Sequence, residues 1–304
     1  MPASAAPRAS RRQRPSAASD ADLLSIAGLF SRRAFRALAA DRQEPVREVV
    51  RSLLSVFPQA GSMSLGEVFD EALRVMAKQY RNEYVFKNAL VSRIVFGRHN
   101  TRTASALLEL RAGPSIADVA IFNGTSTAYE IKTDLDSLTR LDAQIRDYSR
   151  HFARVHVVTT ERMASRVAHA VPDHVGVLVL TGRGCLSEVR GATEDVDRLS
   201  TVALFGLLRR GEVLRILDRT RGYEIDVPPA RLWHRTRELF EDLPVDLAHR
   251  EMVDELRSRG MSGAATAAIA PRSLRALAYE VPLSGSATGR IHGRLSMPVG
   301  ALTG

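Results

Sequence analysis

Two acids and a lysine interrupt a pair of apolar segments in the middle of the chain. Asp118 lies in the segment 115–122, whereas Glu130 and Lys132 lie in the segment 126–132, and both segments read as strands. Residues two apart in a strand face the same way, so Glu130 and Lys132 share one face. Asp118 joins that face only if the loop between the strands has an odd number of residues. We predict such a loop, for example the three-residue form with a bulge.

These three residue types suit the hydrolysis of a phosphodiester bond. Two carboxylates about 4 Å apart repel each other by about 4 kcal/mol at an effective dielectric constant near 20, and a divalent cation relieves that repulsion. Mg²⁺ prefers oxygen ligands, and a bound metal polarises a phosphoryl oxygen and lowers the pKa of water. A lysine can orient that water or stabilise the developing charge. The pattern therefore predicts Asp118 and Glu130 as ligands of Mg²⁺ (or Mn²⁺), with Lys132 assisting catalysis.

The segments around this trio predict the elements that must position it. Apolar residues at helical spacing precede the first strand, and an amphipathic helix follows Lys132. The predicted elements are a helix at 81–97, strands at 104–113, 115–122 and 126–132, a helix at 136–152, a strand at 154–160, a helix at 161–171 and a strand at 174–182. This order, α-β-β-β-α-β-α-β, predicts an α/β fold with a mixed sheet and helices on both faces.

The motif "IAD…YEIK" and the order of elements resemble the PD-(D/E)XK nuclease superfamily. Its signature is an Asp at a strand bend, followed by (D/E)-x-K on the next strand. Asp118, Glu130 and Lys132 fall on these positions, and Ala117 stands where the label of the superfamily has proline. The resemblance implies a restriction-endonuclease-like α-β-β-β-α-β core over about 80–182, with metal-dependent cleavage of nucleic acid as its activity.

Longer segments resemble an uncharacterised bacterial family that carries this nuclease-like core between N- and C-terminal helical flanks. The segments are "LFSRRAFRALA", "YRNEYVFKNAL", "NGTSTAYEIKTDLDSLTRL" and "VGVLVL". The resemblance extends from about residue 25 to at least residue 260. It supports the fold but supplies no substrate.

Further side chains have spacings that place them near the trio. Glu83 lies at the rim of the helix face that should meet the sheet. In the superfamily an acid on the first helix often completes the metal site. The alternative is an ordinary glutamate in the first turn of a helix, where the helix dipole favours a negative charge. Gln144 and Tyr148 are four apart on the next helix and resemble the QxxxY element of RecB-type nucleases, which helps to hold the site or the nucleic acid. Core packing explains Tyr148 as well, because it continues the apolar stripe. Glu109, near the end of the first strand, is a further candidate ligand.

The charge of the chain points to a polyanionic partner. The sequence has 43 Lys+Arg against 34 Asp+Glu, a net charge of +9. A basic excess suits nucleic acid, because phosphate contacts release counterions. Arg93, Arg98 and Arg140 are candidates for binding phosphates, although each taken alone is typical of solvated surface. Only three of the basic residues are lysines, and Lys132 therefore suggests a need for a compact point charge, which arginine does not supply.

Composition divides the chain into five segments. Residues 1–19 are rich in Ala, Ser, Pro and Arg and predict a disordered basic tail, although a transit peptide or an arm that touches phosphates also fits. Residues 20–79 and 183–260 predict helical segments on either side of the core at 80–182. Residues 261–304 are dominated by Gly, Ala, Ser and Pro and predict a poorly ordered tail.

Other features exclude several classes of protein. No apolar run approaches the roughly 20 residues that span a bilayer, and no secretory h-region is present. The single cysteine, Cys185, permits no intrachain disulfide, so we expect a cytoplasmic protein with no membrane association. The sequence has no phosphate loop, no zinc-ligand spacing and no Gly-x-Ser-x-Gly elbow.

The sequence thus predicts a metal-dependent nuclease that acts on DNA. The alternative is a non-catalytic nucleic-acid-binding module, or an accessory subunit of a phage-defence or mobile-element system, that keeps the nuclease fold. A homodimer or a complex with a partner subunit is compatible with either interpretation.

Overall fold

A six-stranded mixed sheet forms the centre of the protein, in a computed structural model that describes residues 18–303. The strands follow chain order across the sheet. The third, fourth and fifth strands are parallel to one another, and the remaining neighbours are antiparallel. The strands are β1 (Ser105–Ala112), β2 (Ser115–Phe122), β3 (Ser126–Lys132), β4 (Arg154–Thr159), β5 (Gly176–Leu180) and β6 (Leu186–Arg190).

Helices precede and follow the strands along the chain. Before β1 the chain forms α1 (Asp20–Leu29), α2 (Arg32–Ala39), α3 (Glu44–Val56), α4 (Leu65–Gln79) and α5 (Glu83–Leu90), which continues into a π-helix, Val91–Arg98. Between strands lie α6 (Leu141–His151) and α7 (Ala164–Ala170). After β6 come α8 (Thr201–Leu207), α9 (Arg210–Arg221), α10 (Pro229–Glu241), α11 (Val245–Ile269), α12 (Arg275–Glu280) and α13 (Gly285–Ser296).

Alternating side chains of the sheet supply two hydrophobic cores. Val119 and Tyr129 belong to the core that includes α1 to α5 and α12, whereas Ala120 and Ala128 belong to the core that includes α6 and α8 to α10. This division follows from the period of two along each strand. Every residue of β3 is buried because both of its faces are covered by helices.

The mixed α/β fold with helical flanks, which the sequence predicts, is confirmed. The first five strands lie within two residues of their predicted bounds. The helix predicted at 136–152 begins instead at Leu141, and the residues before it form turns. The strand β6 was not predicted, because its residues are mostly exposed and show no apolar pattern. Most of the basic tail predicted at 1–19 lies outside the described residues.

The prediction of a poorly ordered tail over 261–304 was wrong for the described part of that segment. α11 is 25 residues long, and α12 and α13 follow it. The small residues of this segment allow close packing rather than disorder. A Cβ atom at Gly260 would lie 2.9 Å from the carbonyl oxygen of Ala106, and a Cβ atom at Gly263 would lie 2.7 Å from the Cα atom of Tyr279.

Replacing Gly263 with alanine is expected to lower the free energy of unfolding by about 1–3 kcal/mol. The new methyl group would force α11 away from α12, and this cost exceeds the gain in helix propensity, which is about 1 kcal/mol. Gly289 in α13 is the matched control, since nothing lies within 4 Å of a Cβ atom there. Gly289→Ala should raise the stability by about 0.5–1 kcal/mol. Urea denaturation of both variants tests this packing, and equal stabilities would contradict it.

None of the helices in residues 18–303 combines the length and the apolar character that are needed to cross a bilayer.

Candidate functional site

The hairpin between β2 and β3 has the odd-length loop that the sequence predicts. Phe122 pairs with Ser126, so the loop has three residues, and Gly124 takes a φ of +91° that favours glycine. The register places Asp118 opposite Glu130, one step beyond the pair of Val119 with Tyr129. The two acids therefore occupy the same row of the sheet.

Asp118 marks the point where β2 and β3 part. The main-chain ladder between the two strands ends at Val119 and Tyr129. Beyond it, Oδ2 of Asp118 accepts a hydrogen bond of 2.7 Å from the backbone N–H of Ile131. The aspartate side chain thus replaces a main-chain partner and is fixed between the two strands.

Four side chains from β3 and α6 form what we call the inner cluster: Glu130, Lys132, Gln144 and Tyr148. Nζ of Lys132 donates to Oε1 of Glu130 at 2.6 Å and to Oε1 of Gln144 at 3.0 Å. Nε2 of Gln144 donates to Oε1 of Glu130 at 2.7 Å, and the hydroxyl of Tyr148 lies 2.7 Å from Oε2 of Glu130. The side chains of Glu130 and Lys132 are only 3% and 8% exposed. The network therefore gives each carboxylate oxygen of the buried Glu130 at least one hydrogen-bond donor.

Tyr148 both packs in the core and contacts the site, so the two explanations that the sequence offered for it apply together. Its ring is fully buried in the core and contacts Phe152 edge-on, whereas its hydroxyl reaches Glu130. Burial and the Glu130 carboxylate raise the pKa of Tyr148 well above its usual value, so the hydroxyl stays protonated. Gln144, four residues earlier and half-buried, contacts the same carboxylate.

A second group, which we call the outer cluster, consists of Glu83, Lys87, Glu109 and Asp118. One carboxylate oxygen from each of the three acids lies within 4.8 Å of the others. Lys87, four residues after Glu83 on α5, forms ion pairs with Glu83 and Glu109. Its side chain is 9% exposed, whereas those of Glu83 and Glu109 are 54% and 32% exposed. The outer cluster therefore opens to solvent on the side of the glutamates.

Glu109 reaches this cluster through an unusual backbone conformation. Its neighbours Leu108 and Leu110 pair with Val119 and Ala117, so Glu109 lies opposite Asp118 in the β1–β2 ladder. Glu109 has a φ of +53°, in the left-handed region that non-glycine residues rarely occupy. Strain of this kind is concentrated at functional sites.

Burial raises the pKa of Asp118 to about 8, and the nearby Glu130 carboxylate adds to this shift. The N–H of Ile131 acts in the opposite direction because it stabilises the ionised form. Burial alone would lower the pKa of Lys87, but hydrogen bonds to Glu109 and Glu83 raise it above its usual value. The ammonium of Lys87 therefore remains charged and compensates the outer acids.

The donor set of the outer cluster fits a hard divalent cation, because three carboxylates offer oxygen ligands within one coordination sphere. The fit is incomplete in one respect: the ammonium of Lys87 already contacts two of the acids. The sequence predicted Asp118, Glu130 and Glu83 as ligands, with Glu109 as a further candidate. Both oxygens of Glu130 instead take part in hydrogen bonds of the inner cluster, and the acids that lie within 4.8 Å of one another are Glu83, Glu109 and Asp118.

Asp118→Asn is expected to change the pH dependence of stability in the absence of metal. A pKa of about 8 in the folded state, against an ordinary value of 3.8, means that the folded protein binds more protons between these two pH values. Stability is therefore lost as the pH rises through this range. Asparagine keeps an acceptor for Ile131 but cannot ionise, so the variant should exceed wild type by about 1–3 kcal/mol near pH 9 and resemble it near pH 5.

Urea denaturation in EDTA at several pH values measures this effect. Asp142→Asn is the control, since that side chain is 67% exposed on α6. A difference between Asp118→Asn and wild type that does not vary with pH would contradict the assigned pKa.

The three arginines predicted to bind phosphate do not form one group. Arg93 and Arg98 belong to the π-helix, and Arg140 immediately precedes α6, which packs in the other core. All three are exposed, and none makes an ion pair with another residue of 18–303.

Lys87 was not predicted as a site residue. The one feature of the sequence that could have indicated Lys87 is that the chain has only three lysines.

Fold and site together define an α/β protein whose central sheet holds a buried carboxylate and a buried lysine where two strands part. The chain belongs to the family described as Bacteriophage P4 protein cII, whose model matches residues 76–275 and so includes both clusters. It is similar to Protein cII of Enterobacteria phage P4, with 44% identity over 105 residues. This match covers 34% of the chain and 40% of the phage protein, so the chain spans about two fifths of that relative. No solved structure matches it significantly.

Proposed function

We propose that the protein is a metal-dependent nuclease that hydrolyses phosphodiester bonds, with DNA as its substrate. In this proposal the sheet and its nearest helices are a restriction-endonuclease-like core of the PD-(D/E)XK superfamily. The observation that carries the proposal is that Asp118 lies opposite Glu130 where β2 and β3 part, while Lys132 pairs with Glu130. Buried charges are costly to desolvate, and apolar residues would stabilise a core at lower cost, so stability alone gives little reason for this arrangement.

The outer cluster would hold the cation, Mg²⁺ or Mn²⁺, through Glu83, Glu109 and Asp118. When bound, such a cation polarises a phosphoryl oxygen and lowers the pKa of a water molecule. The exposure of Glu83 and Glu109 gives a phosphate access from their side of the cluster.

The inner cluster would supply the positive charge that assists hydrolysis. Nζ of Lys132 is fixed between Glu130 and Gln144, so it does not have to reorganise during the reaction. An ammonium held in this way orients the attacking water or stabilises the negative charge that develops on the phosphate. Glu130, Gln144 and Tyr148 are positioning residues, because they hold Lys132 and one another.

A nucleic-acid substrate is favoured by the charge of the chain, +9 overall. The exposed guanidinium groups of Arg93, Arg98 and Arg140 are available to phosphates. Binding that depends on such contacts weakens steeply as salt is added. With its single cysteine, such a protein suits the cytoplasm, where its substrate lies.

A cleavage assay of wild type and Glu130→Ala tests the proposal. Linear, circular and single-stranded DNA are incubated with Mg²⁺, Mn²⁺ or EDTA. We expect wild type to cut in a cation-dependent way and Glu130→Ala to lose this activity, because Lys132 loses its carboxylate partner. Asp142→Ala, which removes an exposed acid of α6, is the matched control and should cut like wild type. Cleavage that persists in Glu130→Ala would refute the assignment.

A non-catalytic role, as a nucleic-acid-binding module or an accessory subunit of a phage-defence or mobile-element system, is the second candidate. The ion pairs of Lys87 favour it, because this ammonium balances the outer acids without any metal. The phage origin of the relative, Protein cII, is consistent with a mobile-element setting. DNA binding without cleavage under both cations would support the binding module, and a pull-down that recovers a cleaving complex would support the accessory subunit.

A further inference from the structure

A cavity lies on the other side of α5 from the outer cluster and shares no residue with it. The cavity has a volume of about 360 Å³ and is formed by α4, α5, the π-helix, the end of β5 and the start of α12. This volume is in the range of small-molecule sites. The carboxyl ends of parallel strands, such as the end of β5, are common places for ligands.

The wall of this cavity is strongly basic. Arg81, Arg93, Arg272 and Arg275 line it, and no acidic residue does. Arg81 lies 3.8 Å from the exposed Glu161, whereas the other three make no ion pair within residues 18–303. Uncompensated guanidinium groups around a cavity favour an anion, and arginine binds phosphate in a bidentate way.

Two buried polar atoms in the wall have no partner. Oγ of Ser92 and Nε of Arg275 are buried without a hydrogen bond in the described part of the chain. Native proteins rarely leave such atoms unsatisfied. Both atoms are closed off from the cavity in this conformation, so each reaches a ligand there only after a small rotation of its side chain. The guanidinium of Arg275 is fixed by stacking on Phe96, with 4.0 Å from its central carbon to the ring centroid.

The backbone here is unusual as well. Ser92, Arg93 and Phe96 all belong to the π-helix Val91–Arg98, and π-helices occur frequently at functional sites. The wall also contains apolar side chains, among them Leu73 and Val85. A ligand that matches this wall has both an anionic group and an apolar group.

We propose that this cavity binds a nucleoside phosphate. The phosphate contacts Arg272, Arg275 and Ser92, and the base lies against the apolar wall near Leu73 and Val85. Inorganic phosphate would leave most of the cavity unfilled. The nucleoside phosphate is either a free mononucleotide or the 5′-terminal nucleotide of a nucleic acid, since both present the same chemistry.

Isothermal titration calorimetry distinguishes these ligands. The titrations use the wild-type protein in EDTA, which removes the cation that cleavage requires, so their result does not depend on whether the protein cleaves DNA. The probes are the four deoxynucleoside 5′-monophosphates, inorganic phosphate, the four deoxynucleosides, and one oligodeoxynucleotide with and without a 5′-phosphate. We expect a monophosphate to bind at least about tenfold more tightly than phosphate or nucleoside alone. Preference for the 5′-phosphorylated oligonucleotide over the free monophosphates would identify the terminal nucleotide as the ligand.

Substitutions locate the binding in this cavity. Arg275→Met, which keeps an apolar stem over Phe96, should weaken binding at least about tenfold, and Ser92→Ala should weaken it about threefold. Arg102→Met removes the same charge from an exposed residue outside the cavity and should have no effect. Thermal denaturation checks folding, and Arg272→Met replaces Arg275→Met if the latter is unfolded. Equal binding by these variants and Arg102→Met, or no preference over inorganic phosphate, would overturn the proposal.

Discussion

Replacing Lys132 with methionine is expected to reduce metal-dependent DNA cleavage by about 10²–10³-fold or more. Methionine keeps most of the length of the side chain but removes the ammonium that lies 2.6 Å from Glu130 and 3.0 Å from Gln144. Lys132 is the only cationic side chain of the inner cluster, so none of the other three side chains can replace its charge in the proposed mechanism. Initial rates on linear DNA with Mg²⁺ and Mn²⁺ measure the loss.

The same substitution also affects stability, because it leaves the buried carboxylate of Glu130 without its ionic partner. Breaking a buried pair costs about 3–5 kcal/mol. The double variant Glu130→Gln/Lys132→Met removes both charges and should recover part of that cost while remaining inactive. A fully folded double variant without activity separates loss of chemistry from loss of fold.

The chain offers a matched control in Lys78, an exposed lysine of α4. Lys78→Met should cleave at the wild-type rate, which excludes a general effect of lowering the net charge. Cleavage by Lys132→Met at the rate of Lys78→Met would contradict the catalytic role of Lys132.

The centre of the fold could be predicted from the sequence because its signals are local. Alternation along 115–122 and 126–132 identified β2 and β3, and Gly124 in a three-residue loop determined that Asp118 and Glu130 share a row. The spacing of Gln144 and Tyr148 on α6 likewise placed both side chains toward Glu130.

Features that depend on distant contacts could not be predicted in this way. Gly260 and Gly263 suggest a flexible tail by composition, and only the backbones packed against them reveal tight helix packing. The position of Glu109 depends on a positive φ at one residue of a strand, which no periodic pattern indicates. The outer cluster therefore includes Glu109 and Lys87, which the sequence motif does not contain.

Lys87→Met is expected to make the stability of the protein depend on divalent cations. Without metal, the variant leaves the carboxylates of Glu83 and Glu109 without their compensating cation. The free energy of unfolding should fall by about 1–3 kcal/mol, which is less than for a fully buried pair because the two glutamates are partly exposed. Mg²⁺ or Mn²⁺ should restore this loss, since a cation that binds only the folded state stabilises it.

Urea denaturation in EDTA and in saturating Mn²⁺ compares this response among Lys87→Met, Lys78→Met and wild type. The increase in stability on adding Mn²⁺ should be largest for Lys87→Met, because in wild type the ion must compete with the ammonium for Glu83 and Glu109. Lys78→Met should respond like wild type. If Lys87→Met loses stability but Mn²⁺ restores none of it, the outer acids hold no cation, and the ammonium is their permanent partner. The non-catalytic interpretation would then account for both clusters better than the nuclease does.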